Sequence, residues 1–479
     1  MESKCISPEK EEKCCPLPIN NTLFVDAQFG NNFTGLREDE TKPFKTLAVA
    51  LLRAEPGDTI YVHPGEYNEN SLILKNEVNW FFSEGASIVN STTGTSIFII
   101  NSDVTSTITG YGIFASSFEV VKHLDGIANL TIKGESFEAP NIFNLSGTSV
   151  NPSIFDIEGN NFIGTNILFH NENATVTFNF HSISVIDNII NVIGSGKITM
   201  NGNSITKNTT GSTHGFDNRS NSINIIVNCQ SYIHIGNGYA INSEIVSVGE
   251  KPPIMKYEFQ FLNISGGFIR SIGDFVSDDP STQPNIIVNS HIIVINYSAP
   301  LTITTSPVYS RNSIVTINYD LMNVLLLRAY VVYDVEKSIT FIKGQNVSAF
   351  GLDGKRHYYL TCHDCVFIHQ VDIHILIGMS IISSPNVPGK SGGGITFVGS
   401  ALICDQSVAH IPVVESINGD LNINVDDVQI NHPMNAHTFI TSSLIMRFNR
   451  FSSNGGGFLR DTFNIKGRLH ILGHYEYKQ

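Results

Sequence analysis

The chain has 479 residues, 41% of them hydrophobic and only 15% charged, with a formal net charge of -14. Apolar material is ample for a large core, so the surface must be covered by Asn, Ser, Thr and Gly. An acidic balance with no basic patch argues against nucleic acid or an anionic membrane as partner, because nothing would replace the counterions on their phosphates. It also disfavours polyuronate substrates unless a local basic cleft or a bound cation offsets the repulsion.

The first residues, "MESKCISPEKEEKCCPLP", carry Glu, Lys and Pro where a secretory signal needs an apolar stretch, so no signal peptide is expected. Residues 1–19 are expected to form a polar, disordered tail holding Cys5, Cys14 and Cys15. Seven cysteines in a chain this long are too few for a disulfide scaffold. Sequons such as those at Asn32, Asn129 and Asn263 are what a chain rich in Asn, Ser and Thr makes by composition. No run reaches the roughly 18 uncharged apolar residues of a membrane span. "NVLLLRAYVVYDV" is broken by Arg328 and Asp334.

Residues 20–57 read as a short strand, a Gly and Asn turn, and one helix. In the helix, Phe44, Leu47, Ala48 and Leu51 fall at i, i+3, i+4 and i+7, and Pro43 suits a first turn. From Asp58 the texture changes to short apolar segments bounded by Gly, Asn, Ser or Asp. In "ATVTFNF", Val176, Phe178 and Phe180 alternate with Thr175, Thr177 and Asn179, the period of a strand with one buried face. In "DLNINVDDVQI" the phase slips between Val425 and Val428, which predicts a corner at Asp426 and Asp427. Gly-x-Gly turns recur at Gly110 and Gly112, Gly194 and Gly196, and Gly236 and Gly238. They are 84 and then 42 residues apart, both multiples of 21, near the length of one solenoid coil.

These signals predict an all-β parallel solenoid over 58–435, with final coils or a C-terminal cap over 436–479. An uncovered terminal coil exposes unpaired backbone and an open core, so the helix is expected to close the N-terminal end.

"LFVDAQFGNNFTG" followed by "KPFKTLAVALLRAEPGDTIYVHPGEYNE" resembles the N-terminal motif of the pectin-lyase-like right-handed parallel β-helix superfamily. The matching positions are Pro43, Phe44, Thr46 and Leu47, then Gly57, Asp58, Thr59, Ile60 and Val62, then Pro64, Gly65 and Tyr67. The resemblance implies a right-handed β-helix. It says little about activity, since that superfamily holds lyases, hydrolases, epimerases, tailspikes and non-catalytic structural proteins. With the Ile and Asn bias, it implies similarity to non-catalytic β-helix proteins of large DNA viruses or phages, a virion location, and other virion proteins or glycans as partners. Such rods often trimerise, although no coiled-coil heptad supports a homotrimer here.

Hydrolysis of the polygalacturonase type needs two positioned carboxyl groups. Asp426 and Asp427 supply a pair, but no Gly-His-Gly or Arg-Ile-Lys follows, and "THGF" at 213–216 comes too early. Pectate-lyase chemistry needs a Ca²⁺ site beside an Arg or Lys. Asp274, Asp278 and Asp279 are the densest acidic group and read as a solvated loop. "FGLDGKRHYYLTCHDC" gathers Asp353, Lys355, Arg356, His357, Tyr358 and Tyr359, a candidate glycan-binding loop in which aromatic faces stack on sugars and charges orient hydroxyls. Cys362, Cys365 and His369, with His374, have the residue types of a Zn²⁺ site. On a straight strand His369 and His374 face opposite ways, which argues against a shared ion. No catalytic set and no cofactor is assigned. The expected function is a structural or adhesive surface protein, the alternative a polysaccharide lyase or glycoside hydrolase with a groove site.

Overall fold

The computed structural model describes residues 20–209, 211–244, 253–273, 283–297, 307–326, 330–335, 338–351, 358–363, 366–377, 380–383, 394–405, 414–431, 439–454, 463–465 and 469–475. They form a parallel β-solenoid with one helix. Each strand pairs with its equivalents one coil back and one coil on. Thr59 sits opposite Asn79, Thr131 opposite Asp156, and Thr177 opposite Thr199. Parallel pairing is still in force between Phe439–Asn454 and Leu469–Tyr475, with a register shift between Arg447 and Arg450.

A coil has three sheet-forming runs. In Ser153–His170 the first run ends at Gly159, a second begins at Asn161, and the third is Leu168–His170. Gly134 pairs with Gly159 and Ser136 with Asn161, so Glu135 and Asn160 between them turn the corner. This corner is the phase slip read at Asp426 and Asp427. Val425 and Val428 both point inward, while Asp426 is exposed between them.

The Gly-x-Gly turns do not mark one repeat. Gly110 pairs next to Phe82 at the end of a first run, Gly196 opens a first run against Ala174, and Gly236 follows a second run. Their shared feature is a positive φ, at 105°, 109° and 151°. The spacing between paired residues of successive coils varies from 20, between Thr59 and Asn79, to 39, between Ile269 and Val308. No fixed period of 21 therefore exists in the sequence.

The helix is Leu47–Arg53, with Thr46 as its N-cap. Leu47, Ala50 and Leu51 are buried, whereas Ala48 is exposed, which corrects the predicted face. Phe44 is not helical. It bridges to Val25 before the helix starts, so counting the helical period from Phe44 misplaces one position. Pro43 likewise lies outside the first turn, its carbonyl accepting from the Asn31 N–H at 2.9 Å. Phe44, Leu47 and Leu51 join one core cluster with Leu23, Ile60 and Trp80, at the end that needs covering.

Polar residues in and around the N-terminal motif have structural tasks. Asn32 accepts from the Lys45 and Thr46 N–H groups, and Glu69 accepts from the Ala48 N–H at 2.8 Å. The fully buried Asp58 side chain pairs with Arg37 and accepts from the Glu55 N–H at 2.8 Å. The Tyr67 hydroxyl lies 3.0 Å from the carbonyls of Val25 and His63, and burial raises its pKa. Within the coils, Phe114, Phe137, Phe162 and Phe178 form an interior aromatic ladder. Phe137 and Phe162 are parallel within 2° at 4.8 Å, and Phe162 and Phe178 are 4.5 Å apart.

Candidate functional site

A groove of about 960 Å³ follows the corner between the first and second runs, over coils 201 to 345. Three columns line it. The outward column holds Asn201, Asn228, Glu258, Asn289, Asn318 and Lys343. The corner column holds Gln230, Gln260, His291, Asp320 and Gln345, and the floor is formed by Gly202, Cys229, Phe259, Ser290, Tyr319 and Gly344.

Parts of both walls are tied from rung to rung. Asn201 Nδ2 donates to Asn179 Oδ1 at 3.1 Å, and Asn228 Nδ2 to Asn201 Oδ1 at 2.8 Å. Asn289 Nδ2 donates to Glu258 Oε1 at 2.8 Å, and Asn318 Nδ2 to Asn289 Oδ1 at 2.7 Å. On the corner, His291 Nδ1 is 2.6 Å from Asp320 Oδ2, and Gln345 Nε2 donates to Asp320 Oδ1 at 3.3 Å. Corner bonding extends beyond the groove, from Asn160 to Glu135 at 2.8 Å and from Asn449 to Asp426 at 2.8 Å. Glu258 is held below the usual carboxylate range by its hydrogen bond from Lys256. On the floor, a Cβ at Gly202 would come within 2.3 Å of the Phe180 ring, and one at Gly344 within 2.4 Å of Tyr319, so rings lie flat across glycines of the next coil. Burial pushes the Cys229 thiol up to about 11, which rules it out as a ready nucleophile.

A second polar set lies on the third sheet. Asn242 Nδ2 donates to Asp217 Oδ1 at 2.6 Å, Arg270 Nη1 donates to Asn242 Oδ1 at 3.0 Å, and Arg270 pairs with Glu244 at 2.8 Å. Asp217 also pairs with Arg219 at 3.2 Å. Inside the same coils, Lys207 is fully buried and donates to Thr213 Oγ1 at 3.3 Å, which donates onward to Asp187 at 3.2 Å. His234, opposite Lys207 in the next coil, has Nε2 3.0 Å from the Gly238 carbonyl. Burial lowers Lys207 to about 8 and His234 to about 3. The Gly236 and Gly238 turn makes room for this arrangement, since a Cβ at Gly238 would meet the Thr213 carbonyl at 2.0 Å.

The structure places the sequence candidates as follows. Asp353, Lys355, Arg356 and His357 lie outside the described residues, as do Cys365 and Asp274, Asp278 and Asp279. Tyr358, Tyr359 and Cys362 belong to the strand Tyr358–His363, their side chains being outside the described set. His369 and His374 do not point to opposite faces. The strand Val366–Ile377 turns its corner at Asp372, so both imidazoles enter the core, with His374 Nε2 3.1 Å from His369 Nδ1 and Phe397 against both rings. Burial lowers both, His374 to about 4. Among the described residues no group of three or more His, Cys, Asp or Glu side chains could hold a metal ion. Asp427 pairs with Arg450, which lowers its pKa, and Asp426 is a corner residue held by Asn449.

The groove has a signature in the sequence. Apolar-Asn-x-polar recurs as "FNFH" at 178–181, "MNGN" at 200–203, "VNCQ" at 227–230, "VNSH" at 288–291 and "INYD" at 317–320. Variable coil lengths hide its period. Searches of protein-family models, curated proteins and solved structures return no match to this chain.

Proposed function

We propose that the chain is a non-catalytic β-helix of the pectin-lyase-like, right-handed kind, acting as a structural or adhesive surface protein and virion component that contacts glycans. The observation that carries this reading is the rung-to-rung bonding of the outward polar columns. Amides and carboxylates that bond to one another along a rod present a fixed, repeating polar surface suited to many weak contacts. The N-terminal motif supports scaffold over catalyst, because its polar groups are consumed in capping the helix and closing the end.

A specific observation favours the second reading, a polysaccharide lyase or hydrolase. Asp217, Asn242, Arg270 and Glu244 bring two carboxylates beside an arginine on one sheet. Against it, Asp217 is only 3% exposed and each carboxylate is engaged by a guanidinium.

Two measurements test the proposal. Purified chain incubated with neutral and uronate polysaccharides should release neither new reducing ends nor unsaturated products, and release of either overturns the non-catalytic reading. Mass spectrometry of purified particles from an infected source should find the chain in the particle. Recovery from infected-cell lysate alone removes the virion location.

A further inference from the structure

On the third sheet a lysine, an asparagine and a buried glutamate meet across two successive coils. Lys122 and Asn144 are direct register partners on Glu119–Asp125 and Ala128–Leu145, so their backbones stand one rung apart, about 4.8 Å. Both alternate with buried neighbours, Val121 and His123 on one strand and Phe143 and Leu145 on the other, and so face outward together. Glu119, with only 3% of its side chain exposed, contacts both. Its Oε1 accepts from Asn144 Nδ2 at 2.7 Å, while its Oε2 lies 3.9 Å from Lys122 Nζ and accepts from Ser96 Oγ at 2.8 Å.

Asn144 Oδ1 is buried and has no hydrogen-bond partner. A buried acceptor left unpaired is costly, and flipping the amide brings no relief, because the oxygen would then face the carboxylate. Glu119 therefore fixes the amide with its nitrogen towards the acid that also holds the lysine. These are the parts of an amide exchange. An amine must lose a proton to attack and an amide nitrogen must gain one to leave, and one water-shielded carboxylate touching both can move it.

We propose that Lys122 and Asn144 become joined by an isopeptide bond that staples one coil to the next. Glu119 takes a proton from the Lys122 ammonium, Nζ attacks Asn144 Cγ, and the Cγ–Nδ2 bond breaks as Nδ2 receives a proton through Glu119 and leaves as ammonia. Nζ gives up two protons in all, and the second follows the ammonia into solvent as ammonium. One C–N bond forms and one breaks, so no oxidant, reductant or cofactor is needed. Lys122 is 31% exposed, which leaves the ammonia a way out.

Two other lysines stand opposite asparagines, Lys197 with Asn224 and Lys343 with Asn318. Asn224 is exposed, and Asn318 donates to Asn289 and not to an acid. These pairs have the register without the buried carboxylate and should stay unlinked.

The test is mass spectrometry of the purified full chain, which should be lighter than its sequence mass by one ammonia. Trypsin should yield residues 76–133 and 134–197 as one covalently joined species, uncut after Lys122, while cutting after Lys197 and Lys343 proceeds. Lys122→Arg, which keeps the charge and removes the nucleophile, and Asn144→Ala should both show the full mass, with circular dichroism and proteolysis reporting that they fold. In chain sampled from the start of expression, Glu119→Gln should close about a hundredfold more slowly, the scale of a lost proton-transfer group. Native chain at full mass and cut after Lys122 overturns the inference. So does a loss of ammonia that persists in Lys122→Arg, which would assign it to a succinimide at a pair such as Asn201 and Gly202. A bond that forms at the native rate in Glu119→Gln overturns the role of the carboxylate and leaves the bond standing.

Discussion

The interior between Trp80 and Phe178 and the interior around Lys207 and His234 lie in the same solenoid, on strands of the same parallel register, yet they are filled in opposite ways. In the earlier coils Phe82, Phe114, Phe137, Phe162 and Phe178 form a chain of ring contacts, stacked, tilted or edge-on, at centroid distances between 4.5 and 5.1 Å. In the later ones an ammonium and an imidazole occupy successive rungs of an inward column, Lys207 opposite His234. The difference shows that the backbone ladder fixes where a side chain points but not what it must be. An inward polar group is tolerated where a loop supplies a partner, as the loop carrying Thr213 does for Lys207.

The aromatic region should be the more sensitive of the two. Phe162→Ala removes a ring in contact with Phe137, Phe143 and Phe178. It should cost about 4 kcal/mol, the usual scale for a buried Phe with incomplete relaxation of the cavity. A rod of stacked coils need not unfold in one step, so local amide exchange across coils 137 to 178 is the better measure. A loss under about 1 kcal/mol would mean the ring ladder is not the stabilising element.

Lys207→Met should act in the opposite direction. Its folded pKa of about 8 lies below the unfolded 10.5, so the stability linked to its neutral form is present above pH 10.5 and lost as pH falls towards 8. At pH 7 the full penalty applies, on the order of 3 kcal/mol, and the variant should be more stable by about that much. The gain should shrink to near zero by pH 10.5. A gain that is flat with pH would point to packing and not to charge.

His170 carries the comparison back into the aromatic region, because it lies in the coil of Phe155 and Phe162. Burial lowers it to about 4, so stability is full above pH 6.5 and drains away as pH falls towards 4. At pH 5 His170→Phe should be relieved of a loss of about 2 kcal/mol that the native chain suffers, with no such relief at pH 7.5. Parallel pH curves for the two chains would rule out His170 as an acid-sensitive position.

The sequence told the fold more plainly than the site. Alternation in "ATVTFNF", the slip at Asp426 and Asp427, and the end motif each report a local geometric need, and local needs are legible in a single chain. The columns are not, because Asn201 meets Asn228 only through a coil whose length is free to vary. His369 and His374 show the same limit in miniature. Five residues apart, they face opposite ways on any straight strand, and only the corner at Asp372 brings their nitrogens to 3.1 Å. Ala48 departs from the expected face for a related reason: a helical period that starts at Phe44 starts outside the helix.

The smallest expected effect is at the end of the rod, where the cap is redundantly built. Thr46 Oγ1 accepts from the Val49 N–H at 3.4 Å, a long bond, and from Asn32 Nδ2 at 3.1 Å. Asn32 and Glu69 independently hold the N–H groups of Lys45, Thr46 and Ala48. Thr46→Ala should therefore cost about 1 kcal/mol or less, at the low side for an N-cap. Amide exchange should speed up within Leu47–Arg53 and stay unchanged from the Trp80 coil onward. If the loss instead spreads into that coil, the helix does more than cover the end: the aromatic ladder behind it would depend on the lid being shut.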